Sequence, residues 1–195
     1  MIPVAKVKKP RGFDAKVKVP GDAWLASHPA AARPPARWGP YNAQLSDGFA
    51  HLCGYAAMHD PTGGTVDHFL SFKHHRHLAY EWSNYRFASA ILNSSKGNAD
   101  AAVLDPYDVG DGWFEIILPS LQMRVTEAVP AAYRAKAEFT LKRLKLRDGE
   151  RVIRWRKSWY DMYLSGRLTL DGLRGMAPLL AAAVETQVQA APAKP

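Results

Sequence analysis

The spacing of apolar and polar residues divides the chain into three parts. Residues 1–40 set short apolar pieces between lysines, arginines and prolines, including Pro3, Pro10, Pro20, Pro29, Pro34, Pro35 and Pro40. That pattern predicts a basic, proline-rich arm, extended over residues 1–22, with one helical turn at "DAWLASH". Residues 41–127 change to short periods. A brief helix over residues 41–50 leads into "HLCGYAAM", apolar enough for a strand, then a "HDPTGG" turn and the β-branched run "TVDHF". A polar, histidine-rich loop follows, then a second strand in "SNYRFAS" and a helix in "AILNSSKGNAD". Asp105-Pro106 marks a turn, and Trp113–Leu118 with Leu121–Val125 reads as a β-hairpin about Pro119-Ser120.

From residue 128 onward the period becomes helical. "AVPAAYRAKAEFTLKRLKL" has Pro130 at a helix start. "DGERVIRWRKSWYDMYLSG" repeats Val152, Trp155, Trp159 and Tyr163 at helical spacing, a stripe that predicts core packing rather than base stacking. "TLDGLRGMAPLLAAAVETQ" is a helix interrupted by Gly and Pro, and "VQAAPAKP" is a frayed tail. The fold class expected is α+β: a basic N-terminal arm over 1–40, a β–loop–β–α core with its hairpin over 41–127, and a basic helical extension over 128–195.

Charge sharpens that division. The 195 residues carry a formal net charge of +8, yet residues 1–18 alone hold +5 and residues 134–157 hold +7, so the rest is mildly acidic. Two basic flanks around an acidic middle fit a polyanionic partner, because each phosphate contact releases counterions. Other classes drop out. The single cysteine, Cys53, excludes an intrachain disulfide and a four-cysteine zinc site, and reads as a core residue rather than a nucleophile. No apolar run is long enough for a bilayer, and the basic N-terminus lacks the apolar stretch of a signal peptide, so a reduced, cytoplasmic setting without membrane contact is expected.

The chemistry concentrates between residues 67 and 93. Asp67 offers a carboxylate and Asn93 an amide oxygen, hard ligands suited to a single Mg²⁺ or Mn²⁺. His68, next along the strand, has an unperturbed pKa suited to a general base near neutrality. Asn84 could fix the imidazole tautomer through its side-chain or backbone oxygen. In the loop between the strands, Lys73, His74, His75, Arg76 and His77 offer phosphate contacts and include no acid. Asp105 reads as a turn residue.

The segment "VDHF…EWSNYRFASAILNSSKGNAD" resembles the HNH endonuclease family, in the His-Asn-Asn form of the ββα-metal nucleases. The likeness covers about 45 residues and rests on "VDHF", "WSN" and "NSSKG", with an "LDP" segment after the helix. It implies a metal-dependent nuclease that hydrolyses DNA, with double-stranded DNA as substrate. His68 would be its general base, Asp67 and Asn93 its metal ligands, and Asn84 the residue that orients His68. Lys73, His74, Arg76, Lys96, Arg143, Lys145, Arg147, Arg151, Arg154 and Lys157 are the expected nucleic-acid contacts. The paired cysteines that hold a structural zinc in many members are missing, so the terminal extensions must supply that packing. The family also implies a possible setting in bacterial antiphage defence beside an ATPase, and an alternative: a catalytically inactive or partner-dependent HNH-like subunit that binds nucleic acid.

Overall fold

The computed structural model describes residues 1–190. It is a mixed α and β structure with two separate two-stranded antiparallel sheets. Strand β1 (Thr65–His68) pairs with β2 (Tyr85–Ala88), placing Asp67 opposite Arg86 and His68 opposite Tyr85. Helix α3 (Ala90–Lys96) starts as soon as β2 ends, because Ser89 leaves the strand in extended conformation and its Oγ accepts from the Leu92 amide at 3.3 Å. Gly97 ends it with a positive φ of 53°. The β–loop–β–α order therefore falls where the hydrophobic pattern puts it. Strands β3 (Phe114–Ile117) and β4 (Gln122–Val125) form the expected hairpin.

Two expectations fail. The apolar run 51–58 is not a strand. Ala50, His51 and Ala57 take left-handed backbone, Cys53 N–H closes a turn onto Met58 O, and only an isolated bridge joins Leu52 to His59. Cys53, Tyr55, Ala56, Ala57 and Met58 are all buried. The unbroken apolar run reflects burial on every side, which periodicity cannot distinguish from a core strand. Nor is 1–22 an extended arm. Asp14–Lys18 is π-helical and runs into α1 (Val19–Ser27). Pro20 lies at the start of α1, where a missing N–H is tolerated, and the wide turn precedes it.

The arm is bound to the molecule by its apolar residues. Phe13 is fully buried and meets the Tyr41, Trp82 and Tyr85 rings edge-on at 5.1, 5.2 and 5.9 Å. With Val17, Trp38, Leu45 from α2 (Asn42–Gly48), and Phe87, it forms one core cluster against the β1–β2 sheet. A second cluster joins β3–β4, Ala88, Leu92 and the C-terminal helices. The β2–α3 unit thus touches both cores.

The C-terminal helices are α4 (Ala131–Arg143), α5 (Glu150–Leu164), α6 (Leu170–Met176) and α7 (Pro178–Ala190). The interrupted last helix divides at Ala177-Pro178. Val152 is buried, and Trp155, Trp159 and Tyr163 pack against the core as their spacing predicts. Arg156 breaks the pattern. It is buried, with Nη1 donating to Leu121 O at 2.8 Å and Nη2 to Leu146 O at 2.7 Å. The tail expected to fray begins inside α7, and its last five residues lie outside the described ones. No helix among the described residues is long and apolar enough to cross a membrane.

Candidate functional site

An open cleft of about 710 Å³ lies where β1 meets α3. Asp67 and His68 line it from β1, Asn93 and Ser94 from α3, and Arg33 and Trp38 from the segment before α2. Three of the four residues singled out by sequence, Asp67, His68 and Asn93, therefore share one cavity.

His68 is only 8% exposed. Its Nε2 lies 2.8 Å from Ala79 O, a carbonyl that can only accept, so Nε2 carries the proton. Nδ1 is then the free base. It has no hydrogen-bond partner among the described residues and is not sealed from solvent. Trp38, Tyr85 and Phe72 meet the imidazole edge-on at 4.5, 5.0 and 5.3 Å and fix its plane. Burial lowers the pKa below the ordinary 6.5, against opposing pulls from the Ala79 bond and the Asp67 charge. The ring is thus neutral near pH 7, fixed in its plane, and unprotonated at Nδ1.

Asn84 does not touch this ring. Its Oδ1 accepts from Leu70 N at 2.8 Å, and its Nδ2 donates to Leu70 O at 2.9 Å and Leu78 O at 3.2 Å. It ties together both ends of the loop between the strands, and that loop delivers Ala79 O to His68. The orienting role expected of Asn84 belongs directly to Ala79, with Asn84 acting through the loop. Asp100 clamps the same loop. It accepts from Ser71 N at 2.6 Å and pairs with His74 Nδ1 at 2.6 Å. Burial opposes its charge, but those hydrogen bonds prevail and hold the carboxyl below its usual range. The loop's missing acid is therefore supplied from beyond α3.

The Asp67 carboxylate is already engaged. Tyr55 OH donates to Oδ2 at 2.7 Å, and Lys96 Nζ lies 2.8 Å from Oδ1. Lys96 also donates to His68 O at 2.8 Å. Asp67 is 1% exposed and Lys96 is fully buried. Next to this pair Asn93 Nδ2 makes a long contact of 3.4 Å to Val66 O, leaving Oδ1 without a hydrogen bond. A divalent ion that keeps part of its water shell needs accessible oxygens and a net negative site. Here Asn93 Oδ1 is accessible but neutral, and Asp67, paired with an ammonium and closed to solvent, adds no free negative charge; the residues present do not by themselves make a divalent-cation site. Among the described residues no cluster of three or more His, Cys, Asp or Glu side chains forms a metal site.

The expected nucleic-acid contacts separate by environment. Lys96 is internal. Arg76 donates Nη1 to Ala31 O and Nη2 to His28 O, at 2.6 and 2.5 Å, pinning the N-terminal segment. His74 is held by Asp100. Arg147, Arg154 and Lys157 pair with Glu138, Glu150 and Asp161 on the surface. Arg143 reaches across to Lys96 O at 3.1 Å, at the carbonyl end of α3, beside the cleft. Lys73, Lys145 and Arg151 are exposed. Sequence gave no signal for Tyr55, Ala79, Asp100 or Arg33, whose roles arise from long-range placement. The Asp105 reading holds: Asp105 receives Arg86 Nε and Nη2 at 2.6 Å each and Tyr107 N at 2.9 Å. Cys53 is buried, with its thiol pushed up by desolvation, so it is no nucleophile.

A scan of protein-family models matches none of them to this chain, and a search of curated proteins likewise finds no match.

Proposed function

We propose that this protein is an HNH-type endonuclease that hydrolyses DNA phosphodiester bonds, with His68 activating the attacking water. One observation carries the reading: His68, a neutral imidazole whose Nε2–H is held by Ala79 O and whose Nδ1 has no hydrogen-bond partner among the described residues, lines a cleft on a β–loop–β–α unit. A water held at Nδ1 loses its proton to the ring as its oxygen attacks phosphorus, the P–O bond to the 3′ oxygen breaks in line, and the departing oxygen takes a proton from solvent, while the aromatic walls hold the ring plane. Asn93 and Asn98 also line the cleft. A requirement for Mg²⁺ or Mn²⁺ belongs to this proposal, with Asn93 Oδ1 as the one accessible protein oxygen and the substrate phosphate as the source of negative charge. Such an ion would supply charge neutralisation at the phosphate. The exposed cations Lys73, Lys145 and Arg151 would hold the strand by its backbone.

Supercoiled plasmid incubated with the protein and Mg²⁺ or Mn²⁺ should become nicked or linear. His68→Ala should bind as well as wild type and leave the plasmid intact. Cutting by His68→Ala at the wild-type rate would remove the assignment.

A second reading has its own support in the Lys96–Asp67 pair, which closes the expected metal ligand. In this reading the chain is an HNH-like subunit that binds nucleic acid and cuts only with a protein partner, such as a defence-system ATPase. Retardation of DNA without cleavage under any divalent ion favours this reading over the first.

A further inference from the structure

Arg33, Ala36 and Trp38 of the segment 28–38, outside the β–loop–β–α unit, line part of the cleft, and several bonds anchor that segment. Arg76 binds Ala31 O and His28 O, and Tyr80 OH donates to Pro35 O at 2.9 Å. Pro29, Pro34 and Pro35 restrict the backbone, and Trp38 stands against the His68 ring. Arg33 lies between these anchors and lines the cleft.

The charge of the cleft depends on this residue. Its lining holds one carboxylate, Asp67, which Lys96 neutralises at 2.8 Å. It holds one cation, Arg33, which forms no ion pair or side-chain hydrogen bond among the described residues. The Arg33 charge is close enough to act on His68, where it disfavours protonation. A guanidinium with five free donors at the mouth of a cleft, beside a neutral base and amide groups, is a receptor for an oxyanion.

We infer that Arg33 binds a non-bridging oxygen of the phosphodiester presented to His68, so that the segment 28–38 is part of the substrate site. The inference rests on the phosphodiester reading of the cleft. Because the anchors of that segment lie outside Arg33 itself, only the backbone carrying Arg33 is preorganised, and loss of its side chain should weaken binding without disturbing the fold.

The test uses a fluorescently labelled duplex DNA oligonucleotide in EDTA, with anisotropy read against salt for the full chain. Arg33→Ala should keep the wild-type melting temperature, raise Kd about tenfold and lower the slope of log K against log salt by about one. Arg33→Lys should recover part of the affinity but not the bidentate geometry. Wild-type Kd and slope in Arg33→Ala would overturn the inference. His68→Ala, measured alongside, separates the two claims. If His68→Ala stops cleavage while Arg33→Ala binds normally, the hydrolase reading stands and the Arg33 inference falls. If His68→Ala cuts normally while Arg33→Ala loses affinity, the anion site stands and the assignment of His68 as the base falls.

Discussion

Lys96 Nζ sits 2.8 Å from Asp67 Oδ1 in the interior, joining the end of α3 to the middle of β1. The same ammonium donates to His68 O, so one side chain fixes the backbone that carries His68. Removing one partner of a buried ion pair strands the other charge. Lys96→Met should lower the unfolding free energy by about 3–5 kcal/mol, as measured by denaturant titration. It also frees Asp67. Mn²⁺ should then raise the melting temperature of Lys96→Met more than that of wild type, since only a ligand of the folded state stabilises. Equal shifts in both proteins would mean that Lys96 and the ion do not compete.

The loop that carries Ala79 to His68 depends on Asn84. Asn84→Asp keeps the acceptor for Leu70 N but loses both donors, to Leu70 O and Leu78 O. It should cost about 1–3 kcal/mol and lower kcat with little change in KM, because the base loses its orientation while the cleft remains. Steady-state cleavage kinetics with a labelled duplex check this.

Acid should act on His68 through its lowered pKa. In the folded state the ring takes its proton below the ordinary 6.5 of the unfolded chain. As pH falls from 6.5 toward the folded value, the unfolded state binds the proton first, and stability is lost across that window; above 6.5 this contribution is complete. The acid limb of the pH–rate profile should therefore lie below pH 6.5. Stability curves for wild type and His68→Gln should converge at low pH, which urea melts at several pH values will reveal.

The basic residues of α5 should divide into two kinds. Arg156 is buried, its pKa pulled down to about 10 by desolvation, and it donates to Leu121 O and Leu146 O. Arg156→Ala should destabilise by about 3 kcal/mol through stranded carbonyls and an unfilled cavity. Arg151→Ala changes an exposed side chain and should leave the unfolding free energy within about 0.5 kcal/mol of wild type while weakening DNA binding. Paired thermal melts and binding titrations distinguish them.

The contrast shows what the sequence could and could not reveal. The strands around Asp67 and Tyr85, the Ser89-capped helix, the β3–β4 hairpin and the tryptophan stripe of α5 were legible because local period and turn chemistry determine them. Residues 51–58 misled because a fully buried irregular segment has the same apolar run as a core strand. The helix over Val19–Ser27 was hidden by Pro20, whose position in its first turn, after the wide turn Asp14–Lys18, removes the usual penalty. Within the cleft, residue types and order brought His68, Asp67 and Asn93 together. Their partners were not legible: Ala79 acts through a carbonyl that every residue has, and Tyr55, Lys96 and Arg33 arrive from elsewhere in the chain. Net charge was a poor guide to contacts, since Lys96, Arg76 and Arg156 are spent on the fold.

The most direct measurement is chemical rescue of the base. His68→Ala removes the imidazole but leaves its aromatic walls, opening a space that free imidazole can enter. Plasmid cleavage by His68→Ala should be undetectable alone and should return with added imidazole, in proportion to its neutral form. Full cleavage by His68→Ala without imidazole would contradict the assignment of His68 as the group that activates water.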